Sequence, residues 1–106
     1  MNIFKEVIDG MLQKVDGALA VLIVGVDGIT IDRAEHPENE AVGLNFDLLA
    51  AEYTSLLKTA LRTAEDVDVG LLQEMTVFTE QYQFVVKIIT GDYYLLFVLK
   101  PEGNFG

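Results

Sequence analysis

The sequence predicts an α+β fold: a five-stranded antiparallel sheet held between helices, in the order α-β-β-α-β-β-β. Three observations carry that expectation. Residues 3–15 and 46–66 repeat their apolar side chains at helical spacing. Two other runs, 18–26 and 92–99, are apolar on both sides, so both faces of the sheet have to be covered. Short turn signals separate consecutive runs: Asp27-Gly28 after the first, and Gly91-Asp92 before the last.

In chain order, the first helix aligns Ile3, Phe4, Val7, Ile8, Met11, Leu12 and Val15. Gly10 weakens it by about 1 kcal/mol relative to Ala, and Gly17 suits its C-terminal stop. Residues 18–26 form the first strand and 29–34 the second, and Asp27-Gly28 between them reads as a type I′ hairpin turn. A polar segment with Pro37 occupies 35–43. Asn45 then caps a long helix over 46–66, with Asp47 in its electropositive first turn. The apolar arc of that helix spans roughly 140°, wider than the ~100° a core-facing helix needs. Such a helix covers its own sheet and also touches a neighbour. Strands over 69–79, 82–90 and 92–99 close the chain. The first helix is too short to fill its face of the sheet alone, so a further element or a partner's surface is expected beside it.

With 106 residues the chain suffices for one compact domain and is too short for two. An apolar share of 51% with only 23% charged residues excludes a disordered chain. A chain of this size buries about 65% of its unfolded surface, so this much apolar content points to a second burial event with another copy or another protein. Seventeen acids against seven bases leave a net charge of −10. Nucleic acid and anionic membranes, which are bound through Lys and Arg, are therefore not expected as partners. There is no Cys, hence no disulfide, zinc ribbon or thiol nucleophile. The apolar stretch 17–26 is too short to span a bilayer and follows no basic segment. A cytoplasmic location without membrane insertion is the expectation.

His36 lies in the acidic segment EHPENE beside Glu35, Glu38 and Glu40. The spacing of a calcium loop is absent, and one His cannot supply the several N or S ligands zinc requires. A solvated loop and no metal site are expected. With one His on a loop and no Cys, no nucleophile is paired with a base, and neither type of glycine-rich phosphate loop occurs. No catalytic residue and no cofactor are assigned, so the chain is not expected to be an enzyme in its own right. Glu74 and Lys87, which interrupt apolar strands, are read as a cross-strand salt bridge.

The turn VGVDGITID (24–32), the helix FDLLAAEYTSLLKTALRTAEDV (46–67), the stretch GLLQEMTVFTE (70–80) and the closing LLFVLKPEGNFG (95–106) together resemble the roadblock family. That family is named for a dynein light chain and includes bacterial and archaeal regulators of Ras-like GTPases. The resemblance covers essentially the whole chain and rests on the combination and order of these segments. It implies a roadblock/longin/profilin-like fold with a final helix after the fifth strand, whereas this chain stops at Gly106, where that helix would begin.

The resemblance also implies a homodimer, with third strands paired edge to edge and long helices packed together. On the strand, Gln73, Thr76 and Thr79 suit an exposed edge, and Leu72, Met75 and Val77 pack across it. On the helix, Leu49, Tyr53, Leu56 and Ala60 are assigned to the core. Ala50, Leu57, Leu61 and Ala64 are assigned to the dimer interface, because small residues permit close helix approach. The polar side, with Ser55, Lys58, Thr59 and Arg62, is assigned to plain contact with a partner GTPase, in preference to an arginine finger. The implied function is a homodimeric regulator that binds a small Ras-like GTPase and modulates its GTP hydrolysis or nucleotide cycle. The alternative is a non-catalytic dimeric scaffold or adaptor of a larger assembly, such as a motor or membrane-tethering complex. A ligand-sensing domain fits less well, for want of polar groups set within apolar walls.

Overall fold

Strand β1 (Ala18–Gly25) is the axis of the fold: all eight of its residues are buried. In the computed structural model, which describes residues 3–36 and 43–101, β1 pairs antiparallel with β2 (Thr30–Glu35) on one side and β5 (Tyr93–Leu99) on the other. Strands β3 (Glu74–Phe78) and β4 (Gln83–Ile88) complete an antiparallel sheet ordered β2-β1-β5-β4-β3. Helix α1 (Ile3–Lys14) lies on one face and α2 (Phe46–Asp66) on the other, in the predicted order. Side chains alternate across a strand, so the apolar run of β1 divides between two cores. Leu22 and Val24 meet Ala50, Tyr53 and Leu57 of α2, while Val21 and Ile23 meet Ile8 and Leu12 of α1.

Helix α1 leans toward β2, where the Lys5 ammonium donates to the Arg33 carbonyl at 2.7 Å. The Lys5–Asp9 ion pair, 3.5 Å and half exposed, adds little stability. On the same face, no helix of the described residues covers β3 and β4. Val85 and Phe97 are half-buried there, and Phe78 is 59% exposed. The expected third helix would fall after Pro101, and residues 102–106 lie outside the described residues, as do 37–42 of the acidic loop.

Helix α2 is anchored at its start and near its middle. The Asn45 side chain accepts from the Leu48 N–H at 3.0 Å, as the cap reading requires. The Arg33 guanidinium lies 5.0 Å over the Phe46 ring. Eight residues on, the buried Tyr94 hydroxyl reaches up from β5. It stands 2.6 Å from Thr54 Oγ1 and donates to the Ala50 carbonyl at 3.1 Å, and Thr54 Oγ1 donates to the same carbonyl at 2.7 Å. Two hydroxyl protons thus serve three contacts on one helical turn. The β1–β2 turn also touches this turn of helix: a Cβ on Gly28 would stand 3.7 Å from Ala51 Cα.

Three expectations need correction. The β1–β2 turn is not type I′, which needs positive φ at both central residues. Only Gly28 has it, at +87°. The Gly28 N–H donates to the Gly25 carbonyl and the Gly25 N–H to the Ile29 carbonyl, both at 2.9 Å. This is a three-residue loop with a glycine bulge, and the register shift between Ile23 and Val24 accompanies it. Strand β3 is five residues long, not eleven, because positive φ at Asp68 (57°) and Gly70 (94°) turns the preceding backbone away from the ladder. Glu74 and Lys87 stand opposite each other in the register, but they do not close to ion-pair distance. Both are exposed, where an ion pair returns little for the side-chain order it demands.

Asn45→Ala should cost about 1 kcal/mol, read as a melting temperature lower by roughly 5 °C. Burial raises the Tyr94 phenol above its ordinary 10.0, while the Thr54 hydrogen bond pulls it the other way. A phenol raised on folding favours the folded state fully below pH 10, and that contribution is lost as pH rises toward the folded value. Denaturant melts between pH 9 and 11 should therefore show stability falling at the alkaline end (pH values roughly bracketing the phenol range). Tyr94→Phe should be less stable by about 1 kcal/mol at neutral pH and should flatten that alkaline fall.

Candidate partner-binding surface on the long helix

The Tyr94 contacts set the rotation of α2 about its own axis. With Ala50 and Thr54 held over β5, and the Tyr53 ring 5.0 Å from that of Phe84 on β4, the strip through Phe46, Ala50, Tyr53, Leu57 and Ala64 points into the sheet and is buried. This bears on the helical half of the interface assignment. Ala50, Leu57 and Ala64 are buried in the chain's own core, none more than 9% exposed. Leu61 is half-buried against the same core. Leu56, assigned to the core, is 50% exposed, and Leu49 and Ala60 are half-buried. Small size does not mark an interface at Ala50, where it accompanies a carbonyl that accepts the Tyr94 hydroxyl.

Leu49, Leu56 and Ala60 form the flank that leans toward β3, since rotation from Thr54 through Tyr53 passes from β5 to β4. Strand β3 pairs with β4 on one side and is the border of the sheet on the other. Met75 and Val77 face α2 and are half-buried, while Thr76 is exposed. Leu72 packs against the α2-side core. Gln73 is exposed, and its carbonyl accepts from the Ile88 N–H at 3.1 Å. The Thr79 hydroxyl is committed to the β3–β4 turn, accepting from the Tyr82 N–H at 3.0 Å and donating to the Tyr82 carbonyl at 2.9 Å.

Ser55, Lys58, Thr59 and Arg62 are all exposed and follow the i, i+3, i+4, i+7 spacing of one helical stripe. The Thr59 hydroxyl bonds back to the Ser55 carbonyl at 3.3 Å. Among the described residues, neither Lys58 nor Arg62 closes an ion pair within 4 Å. Two of the seven bases in a chain of net charge −10 are therefore presented together on the outer face of α2. His36 is exposed at the end of β2, and its N–H donates to the Leu19 carbonyl. The described residues contain no group of three His, Cys, Asp or Glu placed to hold a metal ion. No helix among them is long and apolar enough to cross a membrane.

Thr54 and Tyr94, the pair that sets this geometry, do not stand out among the candidate residues of the sequence. A tyrosine inside a strand apolar on both faces is the available signal, because its hydroxyl needs a buried partner.

No protein-family profile and no curated protein sequence matches the chain. Solved structures do. MglB, seen in a tetrameric arrangement and, as a gliding protein, from Thermus thermophilus, superposes with a TM-score of 0.81 in both cases. Identity is 20% and 19%, over 91% of this chain and 69% and 70% of those chains. A Roadblock/LC7 domain from Streptomyces avermitilis gives a TM-score of 0.75 at 16% identity, over 92% of this chain and 78% of that one. MglC from Myxococcus xanthus is 31% identical, with a TM-score of 0.60, over 97% of this chain and 84% of that one. With that identity sustained over most of MglC, and with the fold of the Roadblock/LC7 domain matched over 92% of this chain, the chain belongs to the roadblock family.

Proposed function

We propose that this protein is a homodimeric regulator that binds a small Ras-like GTPase in the cytoplasm and modulates its GTP hydrolysis or nucleotide cycle. The observation that carries the reading is the outer stripe of α2. Ser55, Lys58, Thr59 and Arg62 are exposed together on a rigid element, with both bases free of ion pairs among the described residues. The GTPase supplies nucleotide and magnesium, and this chain supplies a positioned surface. The dimer forms through the border of β3 and the flank of α2 beside it. Leu56, with Leu49 and Ala60, replaces Ala50, Leu57 and Ala64 as the helical contribution, and Thr76, Met75 and Val77 supply the strand side. A bare strand edge invites pairing with another chain, and the half-exposed leucine beside it adds apolar area.

Phosphate release from a GTP-loaded Ras-like GTPase of the same organism, with and without this protein, tests the regulator. A changed rate is expected. Stable binding at an unchanged rate would make the chain a scaffold or adaptor instead. Lys58→Ala combined with Arg62→Ala should weaken GTPase binding about tenfold and leave the oligomeric mass as it was. Leu56→Glu should lower the mass found by light scattering from dimer to monomer without unfolding the chain, since the side chain is already half in water. A Leu56→Glu protein that stays dimeric would remove this flank from the interface.

A further inference from the structure

We propose that the apolar pocket between the C-terminal half of α2 and the β4–β5 turn docks a second partner: a protein segment presenting one large apolar side chain flanked by Lys or Arg. The cavity is about 350 Å³, walled by Leu57, Leu61, Leu72, Ile88 and Tyr93 with Val26 at its rim. That places it at the small end of binding pockets, suited to a single side chain. It lies to one side of the Ser55–Arg62 stripe, so a GTPase on that stripe does not account for it.

The occupant is a polypeptide because the apolar surface runs on beyond the cavity. Leu71, which lines the mouth of the cavity, is 92% exposed, and Val69, outside it, is 73% exposed, both on the segment that leads from α2 to β3. Exposed apolar residues gathered around a pocket mark an interaction site, and a ligand confined to the cavity would leave Val69 uncovered. The backbone agrees. Positive φ at Asp68 and Gly70 turns this segment out of the ladder. Among the described residues, the N–H and C=O groups of Gly70, Leu71 and Leu72 have no hydrogen-bond partner within the chain, so an extended segment laid beside them finds donors and acceptors as well as apolar area.

The flanking charge follows from the rim. Asp27 and Asp92 belong to the two turns and line the hollow that adjoins the pocket across Val26 and Tyr93. Asp27 Oδ1 accepts from the Ile29 N–H at 3.0 Å, and the Val26 N–H donates to the Asp92 carbonyl at 3.0 Å. Glu65 lies one helical turn past Leu61, and Asp68 precedes the segment that carries Leu71; both are exposed. None of these four carboxylates is ion-paired among the described residues. Complementary charge selects partners and steers their approach, so basic residues on either side of the apolar anchor match this rim.

The test titrates the isotope-labelled full-length protein with three short synthetic peptides, followed by amide chemical shifts. One has a central Phe between lysines, one replaces that Phe with Ala, and one keeps Phe between glutamates. The Phe–Lys peptide should bind at least about tenfold more tightly than the Ala–Lys peptide, the difference made by burying one aromatic side chain. The Glu-flanked peptide should not bind, and shifts should centre on Leu61, Leu71 and Ile89. Leu71→Ser and Ile89→Asn alter exposed side chains, so the fold is kept. Each should cut affinity about tenfold, and Asp92→Lys should weaken binding most at low salt. Equal affinity for the Phe–Lys and Ala–Lys peptides would reduce the effect to net charge and overturn the proposal. So would shifts confined to the outer stripe of α2. A Leu71→Ser protein of lower oligomeric mass with unchanged peptide binding would assign the strip to a second copy of this chain, against the proposal.

Discussion

How the surface of this protein is divided depends on the rotation of one helix, and two buried contacts from Tyr94 hold that rotation. A smooth apolar helix lying on a smooth apolar sheet can roll by tens of degrees at little cost, because hydrophobic burial has no direction. Hydrogen bonds do have direction, and in a low-dielectric interior leaving one unmade costs more than making it returns. The Tyr94 hydroxyl, Thr54 Oγ1 and the Ala50 carbonyl satisfy one another at a single angular setting of α2. Rolling the helix would strand polar groups inside the core.

Once that angle is set, the circumference of α2 divides into separate territories. Ala50, Tyr53, Leu57 and Ala64 hold the sheet. Leu49, Leu56 and Ala60 look along the sheet toward β3, and Ser55, Lys58, Thr59 and Arg62 look outward. Leu61, on the side away from β3, lines the apolar pocket together with the core residue Leu57. One rigid element therefore supports a core, the proposed dimer contact and the proposed partner sites, with Leu57 alone shared between core and pocket. The same economy explains why an apolar arc broader than a core requires was present in the sequence at all.

The architecture was legible residue by residue, and the reasons are local. Helical spacing, the Asn45 cap and runs apolar on both sides each report a physical requirement of the element they belong to, and all seven elements occur in the predicted order. The interface assignment was less legible because it depends on a distant contact. Nothing within residues 46–66 says where the centre of the apolar arc lies. The information sits forty residues away, in the hydroxyl of Tyr94. The β1–β2 turn misled for a related reason: Asp-Gly suits more than one hairpin loop, and ladder register decides among them. Likewise the apolar letters of 69–73 read as strand, although the backbone there turns outward at Asp68 and Gly70. Of the candidate residues, the polar stripe was the easiest to read, since solvent exposure of charged side chains on a helix follows from composition alone.

The position of β1 has a consequence for how the molecule breathes. Backbone amides in β1 are bonded on both edges and shielded on both faces, so they should open only when the whole chain unfolds. Protection should then decline from strand to strand across β5 and β4 to β3, which has a single neighbour and one face without a helix among the described residues. The sheet is therefore a graded material, rigid at β1 and compliant toward β3. An association that adds a strand at β3 would stiffen it where it is softest, coupling partner binding to local order with no movement of the core.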